Sequence, residues 1–157
     1  QVARVGDRGV HPEQVDRLGQ GELALALMAS RGRYGYANWM RQGATTLWEY
    51  WTGERSHSHQ MFGAAVSYLH QYVLGIRQLP DSAGFDRVLI APARLPALAF
   101  ARGALRTPHG ELAVEWARLD DRIQFAVTLP QGVSASLCWN GETYALQPGC
   151  QRFTFSF

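Results

Sequence analysis

Apolar positions change their period once along the chain: they recur at helical spacing in its first part and at every second residue later on. A helix is expected to open at His11-Pro12-Glu13, where proline suits the first helical turn and glutamate the positive N-terminal end. Val15 and Leu18 continue its apolar face, and Leu23, Ala24, Leu27 and Met28 repeat it. Gly19 and Gly21 lie between the two groups and weaken a single continuous helix. Phe62, Val66, Leu69, Val73 and Ile76 then follow at spacings of four, three, four and three. That predicts one amphipathic helix of about four turns. Ser56 or Ser58 stands where a cap is needed, and Gly75 and Pro80 close the helix.

Beyond Pro80 the pattern is that of strands. Arg87-Val88-Leu89-Ile90-Ala91-Pro92 reads as a short one, and Leu112, Val114 and Trp116 alternate with polar or small residues. Ile123, Phe125, Val127 and Leu129 do the same. Asp120-Asp121 marks the hairpin between these two runs, Asn140-Gly141 a second hairpin and Pro148-Gly149 a further turn. Phe153, Phe155 and Phe157 line the final strand. The expected architecture is α+β, with helices over residues 1–80 and an antiparallel β-domain over 81–157. Cys138 and Cys150 fall on the outer strands of a three-strand meander in this reading, offset by roughly 13 Å along the strand. That is too far for a disulfide, so two buried free thiols are expected.

Composition narrows the partners more than the fold. At 157 residues there is room for one ordinary domain or two very small ones. A formal charge of +2, carried by scattered basic residues, gives no footprint for nucleic acid or an anionic membrane. No stretch is apolar for long enough to cross a bilayer. Gln1-Val2-Ala3-Arg4 offers neither an initiator methionine nor an apolar signal core, so the chain reads as a piece of a longer protein. There is no phosphate-cradling glycine motif, no serine nucleophile elbow and no CxxC, and no cofactor is expected.

One segment carries candidate chemistry. In Gly43-Ala44-Thr45-Thr46-Leu47-Trp48-Glu49-Tyr50-Trp51 a carboxylate sits among three aromatic residues. Aromatic faces suit the C–H faces of a sugar ring, and a carboxylate between them can act as general base on water. The plainer alternative is a surface glutamate beside core tryptophans. Ser56-His57-Ser58-His59-Gln60 follows; its two histidines can ligate a metal, donate to a ligand hydroxyl, or simply pack. Glu49 and Glu54 complete no known metal spacing with them. Trp116 and Trp139 fit core positions, while Arg102, Arg106 and His109 read as exposed loop charges or the frame of a binding patch.

Gly43-Ala44-Thr45-Thr46-Leu47-Trp48-Glu49, then Trp51, then Ser58-His59 with Phe62-Gly63, resembles glycoside hydrolase family 78, the α-L-rhamnosidases. Residues 34–40 resemble the aromatic loop before this motif. Gly75-Ile76 and Gly84-Phe85-Asp86-Arg87 through Ile90-Ala91-Pro92 resemble the passage into the family's C-terminal β-domain, and Thr107-Pro108-His109-Gly110 through Trp116 resembles its next strands. The resemblance implies the terminal helices of an α/α toroid of six hairpins, followed by a β-sandwich. It implies an inverting hydrolase acting on rhamnose-containing glycosides, with Glu49 as general base and His59 bonded to the sugar. Contact of Trp48 and Trp51 with the sugar is our inference from their place in the motif. The family's general acid lies upstream, in an Asp- and Arg-rich motif that this chain lacks. The chain is therefore expected to need an upstream barrel fragment, or to self-associate through its uncovered helix faces. A non-catalytic carbohydrate-binding or scaffold piece, and a toroidal hydrolase for another sugar, remain as alternatives.

Overall fold

The computed structural model describes residues 20–157; the helical signals at His11 to Leu18 lie outside them. Helix α1 (Gln20–Ala29) and helix α2 (Tyr36–Arg41) open the described chain. After a loop come a 3-10 turn (Gln60–Phe62), helix α3 (Ala64–Tyr68) and a π-helical turn (Leu69–Val73). Eight strands follow: β1 (Ile76–Gln78), β2 (Arg87–Ile90), β3 (Phe100–Thr107), β4 (Gly110–Leu119), β5 (Arg122–Leu129), β6 (Ser134–Trp139), β7 (Glu142–Leu146) and β8 (Gly149–Ser156).

The amphipathic segment departs from expectation in three ways. It is a chain of short helical pieces, and Ile76 begins β1 instead of extending the helix. Val66 and Leu69 are 50% and 41% exposed, so only the Val73 end of the apolar face is buried. No serine caps it: His59 holds the N-cap position without a side-chain bond, and the Ser56 hydroxyl accepts the Ser58 N–H instead. Gly75 does end the helical run. At φ +79° it is in the left-handed region, and a Cβ there would lie 2.2 Å from the Pro92 nitrogen, so only glycine fits.

The strands make two four-stranded sheets, ordered β1-β2-β6-β7 and β3-β4-β5-β8. Asp120-Asp121 and Asn140-Gly141 turn hairpins where expected, joining Leu119 to Arg122 and Trp139 to Glu142. The strands pair antiparallel as expected with one exception, and the last strands connect differently. The β2–β6 pair is parallel, Ile90 lying opposite Leu137. The last three strands are no meander, because Pro148-Gly149 carries the chain from β7 in one sheet to β8 in the other, where β8 pairs with β5. Both thiols are free, but Cys138 is only partly buried and Cys150 is exposed on the outer side of β8. Arg102 and Arg106 lie on β3 and not in a loop; His109 is in the β3–β4 turn.

The core lies between the sheets. Leu112, Val114 and Trp116 of β4 and Ile123, Phe125, Val127 and Leu129 of β5 meet Val88 and Ile90 of β2 and Leu137 and Trp139 of β6. Burying each large side chain is worth about 1.5–3 kcal/mol. Polar bonds fix the helical segment to this sandwich. The Trp116 indole donates to the Val73 carbonyl (2.8 Å), and the Ala93 N–H donates to Tyr72 O (2.8 Å). The Tyr68 hydroxyl reaches back to Gly21 O (2.7 Å), bracing α1. The first sheet begins at Ile76.

Candidate active site

The motif of residues 43–59 folds as a tight excursion between α2 and the 3-10 turn. Its two arms run alongside each other: the Glu49 N–H donates to Ser56 O (2.8 Å), the His59 N–H to Leu47 O (2.8 Å), and the Thr46 hydroxyl to His57 O. At the tip the Gly53 N–H bonds Tyr50 O (3.0 Å), and Gly53 takes φ +79°. A Cβ on Gly53 would come within 2.7 Å of the Trp48 ring, so turn geometry and close approach both require glycine.

This pairing brings Glu49 and His59 together. The Glu49 side chain is 23% exposed and that of His59 40%. The Ser56 N–H donates to Glu49 Oε2 at 3.3 Å, and His59 Nδ1 stands 4.0 Å from the same oxygen. The carboxylate is therefore oriented by a backbone donor, flanked by an imidazole and still open to water. A carboxylate so placed can accept a proton from water, and a neighbouring imidazole can bond a polar ligand.

The tryptophans divide the labour. Trp51 is partly exposed and packs on Trp39 (4.5 Å between ring centroids), Phe62 (4.6 Å) and Tyr36 (5.3 Å). Trp48 is only 7% exposed, and the His57 ring stacks on it at 4.6 Å. It is a wall of the loop and offers no open platform. The His57 Nε2 lies 2.7 Å from Gly53 O, which closes the turn beneath that stack. His57 and His59 thus point to different tasks, and among the described residues no group of three or more His, Cys, Asp or Glu is arranged to hold a metal.

Trp39, on α2, is the residue that inspection of the motif alone passes over. It is 2% exposed, and its indole donates to Trp51 O at 3.1 Å. The Tyr36 hydroxyl, whose pKa is raised by burial, donates to Phe62 O at 2.8 Å. Together these bonds tie α2 to the tip of the excursion and to the 3-10 turn that follows it. The signal was the density of aromatic residues between Tyr34 and Trp39.

Comparison with known proteins agrees with this layout. The model of the bacterial alpha-L-rhamnosidase six-hairpin glycosidase domain matches residues 12–73, and that of the bacterial alpha-L-rhamnosidase C-terminal domain matches residues 75–153. An alpha-L-rhamnosidase of an Alteromonas species is 31% identical over 114 residues, covering 64% of this chain and 12% of its own length. One from Formosa agariphila is 28% identical over 139 residues, covering 80% and 14%. In fold, the chain superposes on the crystal structure of Streptomyces avermitilis alpha-L-rhamnosidase complexed with L-rhamnose with a TM-score of 0.76. That match has 18% identity and covers 92% of this chain and 17% of the other. The alpha-L-rhamnosidase of Dictyoglumus thermophilum gives 0.72 at 18% identity, covering 92% and 20%. The chain therefore spans a small part of the length of each relative. With the C-terminal-domain model matching half of its sequence and the six-hairpin model most of the remainder, the chain belongs to the bacterial alpha-L-rhamnosidase family.

Proposed function

We propose that the protein to which this chain contributes is an inverting glycoside hydrolase that releases terminal α-L-rhamnose, and that Glu49 is its general base. The observation that carries this reading is the Glu49 carboxylate, bonded by the Ser56 N–H, beside His59 and open to solvent. In that role Glu49 takes a proton from water as the water oxygen attacks the anomeric carbon and the glycosidic bond breaks. A second carboxyl group, roughly 6.5–9.5 Å from the base, gives its proton to the departing oxygen. In this reading that acid comes from the remainder of the barrel. His59 bonds a sugar hydroxyl and the exposed part of Trp51 meets the ring; Trp48, being buried, acts by holding the loop that carries both.

The uncovered apolar side chains support a missing neighbour. Leu23, Met40, Val66 and Leu69 are all strongly exposed, and all belong to the helical part. Rhamnosidase helices from upstream would cover them; in the isolated chain, self-association would. We place the seam between the two units at Leu74-Gly75, after the π-helical turn and before β1.

The test is hydrolysis of p-nitrophenyl α-L-rhamnoside by the longer protein and by its Glu49→Gln variant, with rhamnose binding measured in both. Loss of turnover with binding retained is expected. Equal turnover would make Glu49 a bystander and favour a carbohydrate-binding or scaffold role. The 157-residue chain alone should be inactive; turnover that vanishes with Glu49→Gln in that chain would place the acid within it and refute the divided site.

A further inference from the structure

The outer face of the β3-β4-β5-β8 sheet carries a second set of polar groups, on the far side of the core from any role so far described. Arg102 and Arg106 on β3, Arg122 on β5 and Arg152 on β8 are all exposed there, with Glu111 and Glu115 on β4. Strand register separates them into two halves. Glu115 stands opposite Arg102, and Glu111 opposite Arg106. Arg122 faces Leu119 and Ser156, and Arg152 faces Ala126, so the β5-β8 half has no carboxylate directly across from its arginines.

A shallow cleft of about 160 Å³ opens in that half, with Glu115, Gln124, Arg152 and Thr154 around it and Ala117 and Ala126 beneath. Glu115 and Arg152 flank Ala126 from the two neighbouring strands, two strand spacings or roughly 9.5 Å apart. The alanine between them leaves a gap for a single ring. Gln124 and Thr154 lie side by side in the next row, adding amide and hydroxyl groups on one side.

We infer that this cleft is a subsite for an acidic sugar unit of a polysaccharide. The uronate carboxylate pairs with Arg152, the ring's C–H face lies over Ala126, and the hydroxyls meet Glu115, Gln124 and Thr154. Arginine is the side chain best matched to a planar carboxylate. Glu115 accepts from sugar hydroxyls. No aromatic side chain borders the cleft on its outward side to stack a base. The subsite is independent of the Glu49 reading.

Affinity electrophoresis of the 157-residue chain in gels containing polygalacturonate, dextran or dextran sulfate tests it. Retardation by polygalacturonate and none by dextran is expected. Arg152→Gln should weaken binding about tenfold, the loss of one charge-assisted bond. Ala126→Leu, which fills the cleft without changing charge, should weaken it comparably. Arg33→Gln, an equal change of charge on an exposed loop outside the sheet, should leave it unaltered. Binding that follows net charge would overturn the inference: dextran sulfate as tight as polygalacturonate, Ala126→Leu silent, or Arg33→Gln as damaging as Arg152→Gln. Absence of retardation by polygalacturonate would overturn it too. Thermal unfolding of each variant separates lost binding from lost folding.

Discussion

Trp116→Phe tests the joint between the helical segment and the sandwich. Trp116 is 2% exposed on β4, and its indole N–H donates at 2.8 Å to the carbonyl of Val73, the last residue of the π-helical turn. Phenylalanine keeps an aromatic ring in the core but removes the donor. A buried carbonyl left without that partner costs about 1–3 kcal/mol. The smaller ring also leaves space, at roughly 0.8 kcal/mol for each methylene-sized group lost. The total is about 2–4 kcal/mol, which for a chain of 157 residues lowers Tm by roughly 5–12 °C. Urea unfolding gives the first number and calorimetry the second. Hydrogen exchange adds a local readout: the Leu74 amide, bonded to Leu69 O at 2.9 Å, should lose protection beyond the global change. Trp139→Phe is the comparison. Its indole bond to Ser156 O is longer, at 3.1 Å, and only partly buried, so the loss should be smaller. Trp116→Phe within about 0.5 kcal/mol of the parent would refute the reasoning, because the Val73 carbonyl would then have another partner or water.

Two further outcomes follow from close contacts and exposure. Gly53→Ala should destabilise the chain by more than about 1 kcal/mol, since it combines φ +79° with a Cβ pressed to 2.7 Å from the Trp48 ring. The shift of the His57 ring protons under the Trp48 face should change with it, and an unchanged shift would mean that the stack does not depend on the turn. Cys150, exposed on β8, should react with a thiol reagent well before the partly buried Cys138, and non-reducing electrophoresis should show no internal disulfide; equal rates would contradict the assigned exposures.

Local patterns were legible where one side chain decides the outcome. The alternation in β4 and β5 matched burial because each strand has one face on a single core, and Asn140-Gly141 turned as its conformational freedom dictates, with φ 54° and 80°. Pro148-Gly149 marked a turn but not its destination; whether a chain stays in its sheet or crosses to the facing one depends on partners distant in sequence. That choice undid the meander and exposed Cys150. The parallel β2–β6 pair was hidden for the same reason. In the helical part, the spacing of Val66 and Leu69 describes a face made to be covered, and nothing among the described residues covers it. At the candidate site the sequence picked out Glu49 and His59, which the loop brings within 4.0 Å. It did not separate Trp48 from Trp51, because burial of one and exposure of the other arise from the excursion's own turn and from Trp39.

The parallel pairing of β2 with β6 also governs when the molecule can form. Ile90 has its neighbour in Leu137, so the first sheet stays incomplete until β6 has been made. At roughly 5–20 residues per second, the ribosome holds β1 and β2 as an unfinished edge for several seconds while the β3-β4-β5 hairpins form ahead of them. Closing so distant a contact slows folding, and an apolar edge waiting that long invites pairing with other chains. The parallel pair is thus the feature we expect to limit soluble yield, through the timing of assembly and not through the stability of what is assembled.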